Sequence, residues 1–528
     1  MRVAMFGLFT CIAIATAAGQ TPAKPADPLG SRYLSMENAG YEAITQLRNR
    51  GFLTALDPLA QPYHRVDIAR ALVDLDPDTL ARPVATWVRL LRKEMAPELA
   101  RLAGRDSIQL GIEVLGGAAA SSSRSLTPIL PYYDSTQPAV LANRVWPNYS
   151  VGFWAETGRF ALETRLHDDF YISPFRTSGE QDGDPYGTDP GGIAVFKQND
   201  DAYLSATYSL GTFFVGRMAR NWAPLGDTGL MISDNPTTYP QIGFDIGGHG
   251  FALRFMAGEL DTAGGEYSGQ ARFITGNEIE YRTDEFAISV GEAKLVVSQS
   301  GLPFTDLSPL ELTFFEVDNV PEESTGNTVL SGQLWVHHSR TTLYGEALLD
   351  DIGLNQRSPL RGAVSGGLQY QPAAPWLNVG ADMRVVTAFC YWTLHGTDQW
   401  STYGRGLGDN FSDYARLSLH ASIYPDVAGL RLTPTLELQA KGEGDFRMPV
   451  IPEAQFLTMP SLFLGVKETT RRVALAGRYD PTPHFFVDWD GGINFITNAN
   501  HQAGRGLTQF AGVARLGVTW SAPGVGSP

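Results

Sequence analysis

The chain has 528 residues, of which 43% are hydrophobic and 11% aromatic, with 56 glycines and a mean hydropathy of −0.12. Its formal net charge of −16 at pH 7 repels phosphate backbones, which excludes nucleic acid as an expected partner. The length exceeds one ordinary globular core. After residue 20 there is no run of about 18 apolar residues of the kind that a membrane helix needs, so a membrane-embedded form would cross with strands.

Residues 1–18 have the pattern of a cleaved secretory signal peptide. Arg2 provides a positive start, residues 3–14 are apolar, and residues 15–18 are the small residues of a cleavage site. The apolar run is too short to span about 30 Å of hydrocarbon. Cleavage would leave Cys390 as the remaining cysteine, so we expect no intramolecular disulfide in the mature chain.

A Pro-rich linker and a helical segment follow. Residues 19–32 are expected to be extended and exposed. Residues 33–104 have helical periodicity and predict a small periplasmic domain of three short helices, which can cover one another's apolar faces. The apolar faces are Tyr41, Ile44 and Leu47, with Gly51 ending that helix; Ile68, Leu72 and Leu75; and, after Pro83, Trp87, Val88, Leu91 and Met95.

Part of this helical segment resembles a degenerate S-layer homology motif. The matching residues lie between Tyr41 and Gly51 and between Arg65 and Leu72. The resemblance implies a domain that contacts a cell-wall polymer. A plain helical bundle that caps the following domain explains the same pattern, because amphipathic helices usually exist to bury a face.

The periodicity changes from 3.6 to 2 in residues 105–520. Leu430, Leu432, Leu436 and Leu438, for example, alternate with polar residues. Segments of about 10 residues with this alternation, separated by turn residues, are typical of a transmembrane β-barrel. The sequence therefore predicts a mainly β protein, a large antiparallel transmembrane barrel preceded by a small helical domain. Residues 521–528 are predicted to be a disordered tail, with Trp520 ending the last strand.

The barrel region allows about 16 to 20 strands, at roughly 20 to 25 residues for each strand and its connection. A soluble β-sandwich or propeller is the alternative. The aromatic residues at strand ends favour the membrane, because they suit interfacial girdles. These residues are Tyr424, Tyr479, Trp489 and Trp520.

Three polar insertions are predicted to be extracellular loops, because the periplasmic turns of such barrels are short. They are residues 171–201, 388–414 and 448–461. The first is rich in Gly and Asp but lacks the ligand spacing of an EF-hand, which favours a flexible acidic loop over a calcium site.

The most specific stretch is residues 216–226, Gly-Arg-Met-Ala-Arg-Asn-Trp-Ala-Pro-Leu-Gly, followed by residues 229–235, Gly-Leu-Met-Ile-Ser-Asp-Asn. Together with residues 309–319 and 343–351, it resembles the Wzi capsule-assembly family of outer-membrane proteins. The resemblance implies a barrel of about eighteen strands with a helical domain at its periplasmic end. It also implies a role in holding or organising capsular or related surface polysaccharide.

Side chains of this stretch suit acidic sugars. Arg217 and Arg220 offer guanidinium groups for carboxylates, and Trp222 offers a surface for stacking. Asp234 and Asn235 are candidate partners for sugar hydroxyls. The alternative is structural, because Arg and Asp commonly pair inside a polar lumen and Trp222 would serve as a girdle residue.

A second candidate cluster comprises Trp392, Trp400 and Tyr403, within a segment that we expect to be an outer loop. Exposed aromatic residues on loops favour a platform for glycan binding. Packing at the barrel rim explains these residues nearly as well.

These observations predict a non-enzymatic protein of the outer membrane that binds, anchors or organises surface polysaccharide, surrounded by lipid and lipopolysaccharide and using no cofactor or metal. No Gly-x-Ser-x-Gly, His-Glu-x-x-His or phosphate-loop motif occurs. His337 and His338 would point to opposite faces of a strand. The alternatives are a porin-like solute channel and an outer-membrane hydrolase or acyltransferase that uses His167.

Overall fold

The structure is a computed structural model of the chain. The predicted signal peptide lies outside the residues that it describes, as do residues 19–27 of the predicted linker, residues 526–528, Tyr403 and most of the 171–201 insertion. The described residues are 28–104, 108–122, 128–130, 140–141, 145–169, 171–172, 196–236, 238–248, 250–262, 269–298, 301–302, 307, 309, 325–351, 358–393, 398–402, 405–425, 427, 429–449, 451–482 and 484–525.

Four helices lie before the first strand. Met95, predicted to belong to the third helix, caps its C-terminus. A further helix begins at Ala96, with Pro97 in the first turn, where proline is tolerated. One more helix than predicted is therefore present. The helices are α1 (Gly40–Arg48), α2 (Arg65–Leu72), α3 (Val84–Glu94) and α4 (Ala96–Leu102), and we call residues 33–104 the helical domain.

Eighteen strands form one antiparallel sheet, and two separate pairs, β2 with β5 and β16 with β17, form small two-stranded sheets. A four-residue helix, α5 (Glu453–Phe456), precedes β20. The strands are β1 (Gln109–Ser121), β2 (Val140–Leu141), β3 (Val145–Thr157), β4 (Phe160–Asp169), β5 (Tyr171–Ile172), β6 (Phe196–Tyr208), β7 (Gly211–Arg217), β8 (Pro240–Gly247), β9 (Gly250–Glu259), β10 (Ala271–Arg282), β11 (Phe286–Ser298), β12 (Thr325–His338), β13 (Thr341–Asp351), β14 (Arg361–Tyr370), β15 (Leu377–Val386), β16 (Ser401–Thr402), β17 (Arg405–Gly406), β18 (Tyr414–Ile423), β19 (Leu430–Lys441), β20 (Glu468–Thr482), β21 (Phe485–Thr497) and β22 (Gly506–Val525).

The large sheet closes on itself. Each of its strands pairs with the next one along the chain, and β1 pairs on one side with β3 and on the other with β22. Val114 of β1, for instance, lies opposite both Val151 and Trp520. A closed sheet leaves no unpaired edge, which is what allows strands to cross a bilayer. The predicted fold class, a large antiparallel barrel preceded by helices, is confirmed.

The outer face of the barrel is apolar where the sequence alternation predicted it. On β19, Leu436 and Leu438 are 55% and 45% exposed, whereas Gln439 beside them is 5% exposed. Ile288 and Val290 of β11 are exposed in the same way. Exposed aliphatic side chains on one face and polar side chains on the other are the pattern of a lipid-facing barrel wall. Within the described residues, no helix is long and apolar enough to cross a membrane.

The prediction that the last strand ends at Trp520 was wrong. The strand β22 continues to Val525, and Ser521 to Val525 lie opposite Glu113 to Gln109 of β1. The first strand supplies backbone partners over its whole length, so the small residues after Trp520 continue the ladder.

The prediction of an exposed linker was also wrong for its last residues. Ser31 and Arg32 are 0% and 5% exposed. Arg32 Nη1 lies 2.6 Å from Glu113 Oε1, and the amide of Gly30 donates to the carbonyl of Gly158. The chain is therefore fixed to the barrel before the first helix begins, because its backbone and its cation both find partners on the wall.

The two ends of the barrel differ in the length of their connections. At one end, which we call the short-turn end, connections range from two residues, as at 158–159, to six, as at 371–376. The other, long-loop end carries the connections 218–239, 387–413 and 442–467. Short turns are periplasmic in bacterial barrels and long loops extracellular, and this asymmetry is the one expected if the short-turn end faces the periplasm.

The helical domain contacts the short-turn end. Arg48 Nη1 donates to the carbonyl of Asp284, and Arg50 Nη2 donates to that of Pro375, both in turns between strands. Tyr424, predicted as a membrane girdle residue, is buried and stacks edge-on against Trp87 of α3. The girdle prediction was wrong for Tyr424, because the helical domain covers the turn in which it lies.

Buried ion pairs fix the helical domain to the wall. Arg101 Nη1 is 2.8 Å from Glu156 Oε2 of β3, and both side chains are fully buried. On another side of the lumen, Asp57 pairs with Arg254 of β9 and Arg282 of β10. Breaking a buried ion pair is strongly destabilising, so these contacts define one position of the domain.

The residues of the S-layer-like motif make internal contacts. Ile44 and Leu47 are fully buried in the core of the helical domain. Arg65 Nε lies 2.6 Å from Glu98 Oε1. These contacts give no support to the cell-wall polymer that was predicted as a partner, and they fit the alternative of a helical bundle that caps the barrel.

We expect the substitution Glu156→Gln to loosen the helical domain from the barrel. It removes the carboxylate that pairs with the buried Arg101 guanidinium, and loss of one partner from a buried ion pair costs about 3 to 5 kcal/mol. Hydrogen exchange of the α4 amides would measure the loss. The control is Asp78→Asn, which removes an exposed pair with Arg89 and should cost less than about 1 kcal/mol. Equal effects of the two substitutions would contradict the assigned role of Glu156.

Candidate functional site

The connection between β7 and β8 folds into the barrel lumen, and we call its residues 218–236 the inward loop. Glu346 of β13 accepts hydrogen bonds from the amides of Leu230 (2.8 Å) and Met231 (3.2 Å). At its other side the amide of Leu225 donates to the carbonyl of Pro58 in the helical domain. The inward loop therefore joins the wall to the helical domain across the lumen.

Small residues on the wall make room for this loop. A Cβ atom at Gly276 of β10 would lie 2.9 Å from Ile232 Cδ1 and 3.2 Å from Trp222 Cζ3. At Gly291 of β11 it would lie 2.8 Å from Met231 Cε. An added Cβ at either position would displace side chains of the inward loop, so these glycines allow the loop to approach the wall closely.

The 387–413 connection covers the inward loop from the long-loop end. Trp400 Nε1 donates to the carbonyl of Met231 (2.9 Å), and Tyr391 Oη donates to the carbonyl of Leu230 (2.6 Å). An apolar core inside the barrel results. Its large buried side chains include Trp222, Leu230, Met231, Phe389, Tyr391, Trp392, Trp400, Phe446 and Phe456.

Three residues of the first candidate cluster are held by contacts within the protein. Trp222 is fully buried in this core. Arg220 is 4% exposed; its Nε donates to Gln241 Oε1 (2.9 Å), and its guanidinium lies 3.9 Å from the centre of the Phe214 ring. Arg217 donates to the carbonyl of Thr238. Arg220 and Trp222 thus fix the inward loop to the wall, and Arg217 bonds the segment that follows the loop.

The second candidate cluster is not an exposed platform. Trp392 and Trp400 are 1% and 0% exposed, and Trp392 stacks on Phe456. Tyr403 lies outside the described residues. The expectation of exposed aromatic residues was wrong for the two tryptophans, because their loop folds inward over the core.

Asp234 and Asn235 lie at the edge of this filling and face unfilled space. Asp234 lines a cavity of about 480 Å³, which we call the lower cavity, and Asn235 lines one of about 200 Å³, the upper cavity. Asp227 and Thr228 of the inward loop line both. Enclosure in the lumen raises the pKa of the Asp234 carboxyl above its usual value, and its own backbone amide and Arg405 oppose this rise.

The lower cavity lies between α1 and the wall formed by β13 to β20. Glu42 of α1 borders it and is held by Tyr424 Oη at 2.6 Å and by Arg431 Nη1 at 2.5 Å. Burial alone would raise the pKa of Glu42, but Arg431 and the hydrogen bond from Tyr424 lower it on balance. Other lining residues are Tyr41, Gln46, Asn49, Gln61, Tyr344, Gln369, Asn378, Asp382, Ser418, His420, Thr433 and Thr435.

The upper cavity lies at the long-loop end, where β15 ends, β18 begins and β19 ends. Arg384 of β15 lies 2.8 Å from Asp409 Oδ2 and 2.6 Å from Asp227 Oδ1. Tyr414 Oη donates to the same oxygen of Asp409. Lys441 Nζ donates to backbone carbonyls, including that of Gly444 at 3.1 Å. These groups form a rigid, charged wall.

Two further side chains on this wall have no such partners. Among the described residues, neither the Arg416 guanidinium nor the Gln439 amide makes a hydrogen bond or ion pair to another side chain or to the backbone. Both line the upper cavity. A guanidinium and a carboxamide side by side can bind a carboxylate and a neighbouring hydroxyl of one ligand.

Sequence reasoning missed Arg416 and Arg384, although the signal for their orientation was present. Leu417 and Leu419 are exposed on the outer face of β18, so Arg416 must face the lumen. Alternation gives the face of a residue but not its partners. Those depend on loops that meet the wall from distant parts of the chain.

Comparison of the sequence with protein-family models and with curated proteins gives no match. The fold resembles Wzi of Escherichia coli, described as an outer-membrane protein involved in group 1 capsule assembly and a carbohydrate-binding β-barrel. The TM-score is 0.58, with 13% identity over 92% of this chain and 99% of that chain. This likeness shows a shared fold, that of an outer-membrane β-barrel.

Other outer-membrane barrels match less well. The channel DcaP of Acinetobacter baumannii has a TM-score of 0.37 and 10% identity, covering 78% of this chain and 97% of that chain. OccD1 (OprD) has a TM-score of 0.42 and 10% identity, covering 79% and 96%. Within the described residues no group of three His, Cys, Asp or Glu side chains is placed to hold a metal ion.

We expect Trp222→Ala to lower the free energy of unfolding by about 3 to 5 kcal/mol, because it leaves a cavity in the lumen core. Urea titration would measure this loss. Trp376→Ala, at a tryptophan that is 49% exposed, is the matched control and should cost far less. If Trp222 were a sugar-stacking residue instead, its loss would weaken glycan binding while stability stayed unchanged.

Proposed function

We propose that this protein lies in the outer membrane and holds an acidic surface polysaccharide at the cell surface through its upper cavity. The observation that carries the proposal is the partner-free Arg416 guanidinium in a cavity at the long-loop end. The fold shared with Wzi, whose description names carbohydrate binding, supports the proposal. Membership of the capsule-assembly family and a role in capsule assembly belong to the same proposal.

The chemistry of the cavity favours an acidic sugar over a neutral one. The Arg384 charge is already balanced by Asp227 and Asp409. Arg416 is not balanced in this way by any described residue, so a uronate or similar carboxylate can complete its hydrogen bonds. Gln439 and Asn235 line the same cavity and offer amide groups for ring hydroxyls. The binding needs no cofactor.

The filling of the lumen favours anchoring over transport. The inward loop is bonded to the wall through Glu346 and to the helical domain through Pro58, so packed chain crosses the described lumen. Barrels of 16 to 18 strands that act as porins keep an aqueous channel instead. The porin-like alternative therefore requires a path that bypasses this filling.

Single-channel recording in planar bilayers separates these two functions. We expect the purified protein to show no steady openings of porin size, because side chains and backbone of three connections and the helical domain occupy the lumen. A known open porin, purified in the same detergent, is the control for insertion. Regular, stable openings of comparable size would favour the channel.

The anchoring proposal predicts that Arg416→Gln releases polymer from cells. Cell-attached and shed polysaccharide would be measured in cells that carry the wild-type protein, the variant or no protein, with total polymer quantified in each. We expect polymer to move to the medium while its total stays constant. Removal of one charge-assisted contact should weaken binding of a uronate-containing oligosaccharide by roughly 10- to 100-fold.

The matched control is Arg505→Gln, which removes an exposed arginine at the long-loop end that bonds Gln502 outside the cavity. This variant should retain polymer as the wild type does. If attachment is the same with Arg416→Gln as with Arg505→Gln, the upper cavity does not hold the polymer. If attachment is also unchanged without the protein, the polysaccharide proposal fails as a whole.

A further inference from the structure

The lower cavity has an imbalance of charge that its own walls do not correct. Glu42 is balanced by Arg431, and Asp227 by Arg384. Asp234 is open to the cavity, and within the described part of the chain no other residue forms an ion pair with it. The Asp234 side chain is exposed to this space, so an ammonium group that enters the cavity can pair with its carboxylate directly.

A second carboxylate faces the same space. Asp382 of β15 accepts a hydrogen bond from Tyr344 Oη at 2.5 Å, and its other oxygen lies 3.0 Å from His420 Nδ1. These two neighbours hold the Asp382 carboxylate in one orientation at the cavity surface. Asp234 and Asp382 thus place two carboxylates on the lower cavity, while the upper cavity beside it carries the surplus cation Arg416.

The remaining wall is rich in uncharged hydrogen-bonding groups, and some of their capacity is unused. Asn378 is 1% exposed; its Nδ2 donates to Gln369 (3.1 Å) and Gln46 (3.4 Å), but its Oδ1 accepts no hydrogen bond. The hydroxyl of Thr433 also has no partner. Buried polar groups in native proteins are normally satisfied, so these atoms are available to the hydroxyl groups of a ligand.

The volume of about 480 Å³ lies within the range of small-molecule sites, roughly 300 to 1,000 Å³. An alkyl amine would pair with Asp234 but would leave the amides and hydroxyls of the wall unpaired. A neutral sugar would satisfy those groups but would leave the carboxylates uncompensated. A compact ligand that carries an ammonium group on a polyhydroxylated ring satisfies both sets.

We propose that the lower cavity binds a protonated amino sugar, with its ammonium group on Asp234 and its hydroxyls on the Asn378 and Thr433 side of the wall. The site is distinct from the upper cavity and uses different residues. Asp227 and Thr228 separate the two, so an acidic and a basic sugar can be held a short distance apart along one wall of the lumen.

Isothermal titration of the purified full-length protein in detergent tests this site. The probes are glucosamine, glucose, N-acetylglucosamine and putrescine. We expect binding of glucosamine, with the three others at least tenfold weaker, because glucose and N-acetylglucosamine lack the cation and putrescine lacks the hydroxyls. Absence of glucosamine binding, or equal binding of any other probe, would overturn the proposal.

The substitution Asp234→Asn keeps the shape of the side chain and removes its charge. It should weaken glucosamine binding at least tenfold. Asp74→Asn removes the same charge from an exposed position of the helical domain and should leave the affinity unchanged. Unchanged binding to the Asp234 variant would refute the assignment. Heat-modified mobility in gels verifies that each barrel is folded. If the Asp234 variant does not fold, the relative affinities of the four probes for the wild-type protein decide whether the amino-sugar proposal stands.

The test of the amino-sugar site is independent of the anchoring proposal. Arg416→Gln acts on the upper cavity and is expected to leave glucosamine binding as it is in the wild type. Loss of glucosamine binding in Arg416→Gln as well as in Asp234→Asn would mean that one continuous site, and not two, occupies this side of the lumen, and would overturn the separate amino-sugar site.

Discussion

An eighteen-stranded barrel encloses more space than the inward side chains of its own wall can fill. This protein fills that space with chain from elsewhere: the helical domain from the short-turn end, the inward loop across the middle, and the 387–413 connection from the long-loop end. Adjacent layers are joined by hydrogen bonds. The amide of Leu225 in the inward loop donates to the carbonyl of Pro58 in the helical domain, and Trp400 of the 387–413 connection donates to the carbonyl of Met231. The lumen therefore has an apolar core of its own, and the wall facing it includes residues such as Ile274 and Leu295 that a water-filled pore would not carry.

Filling a barrel with separate segments requires that each segment find one position. Apolar packing is tolerant of small displacements, whereas a buried charge is costly unless its partner is in place. The pairs of Arg101 with Glu156, and of Asp57 with Arg254, lie on different sides of the lumen and hold the helical domain from both. Glu346 holds the inward loop in position by accepting hydrogen bonds from the amides of Leu230 and Met231. Specific polar contacts thus set the positions in which the apolar core then packs.

The barrel itself could be predicted because alternation is a local property: Leu436 and Leu438 face outward whatever the loops do. The segments that fill the lumen could not be predicted, because a loop that folds inward and one that folds outward have similar composition. Trp392 and Trp400 suggested an exposed platform, and Tyr424 a girdle, since sequence alone does not show which surface covers an aromatic ring. Asp234 and Asn235, which the sequence singled out, line cavities, whereas Arg220 and Trp222 fix the inward loop to the wall and Arg217 bonds Thr238 beyond it.

The position of the two cavities follows from the wall as much as from the filling. On β10 to β13 the wall offers glycines and aliphatic residues, and the apolar core contacts it there. On β18 and β19 the inward positions include Arg416, Ser418, His420, Arg431, Thr433, Thr435, Gln439 and Lys441, which an apolar core cannot cover without leaving them unsatisfied. The packed chain ends at that polar stripe, and the unfilled space runs beside it. A polar inward face in the sequence of two adjacent strands therefore marks the side of a filled barrel on which ligand sites can remain.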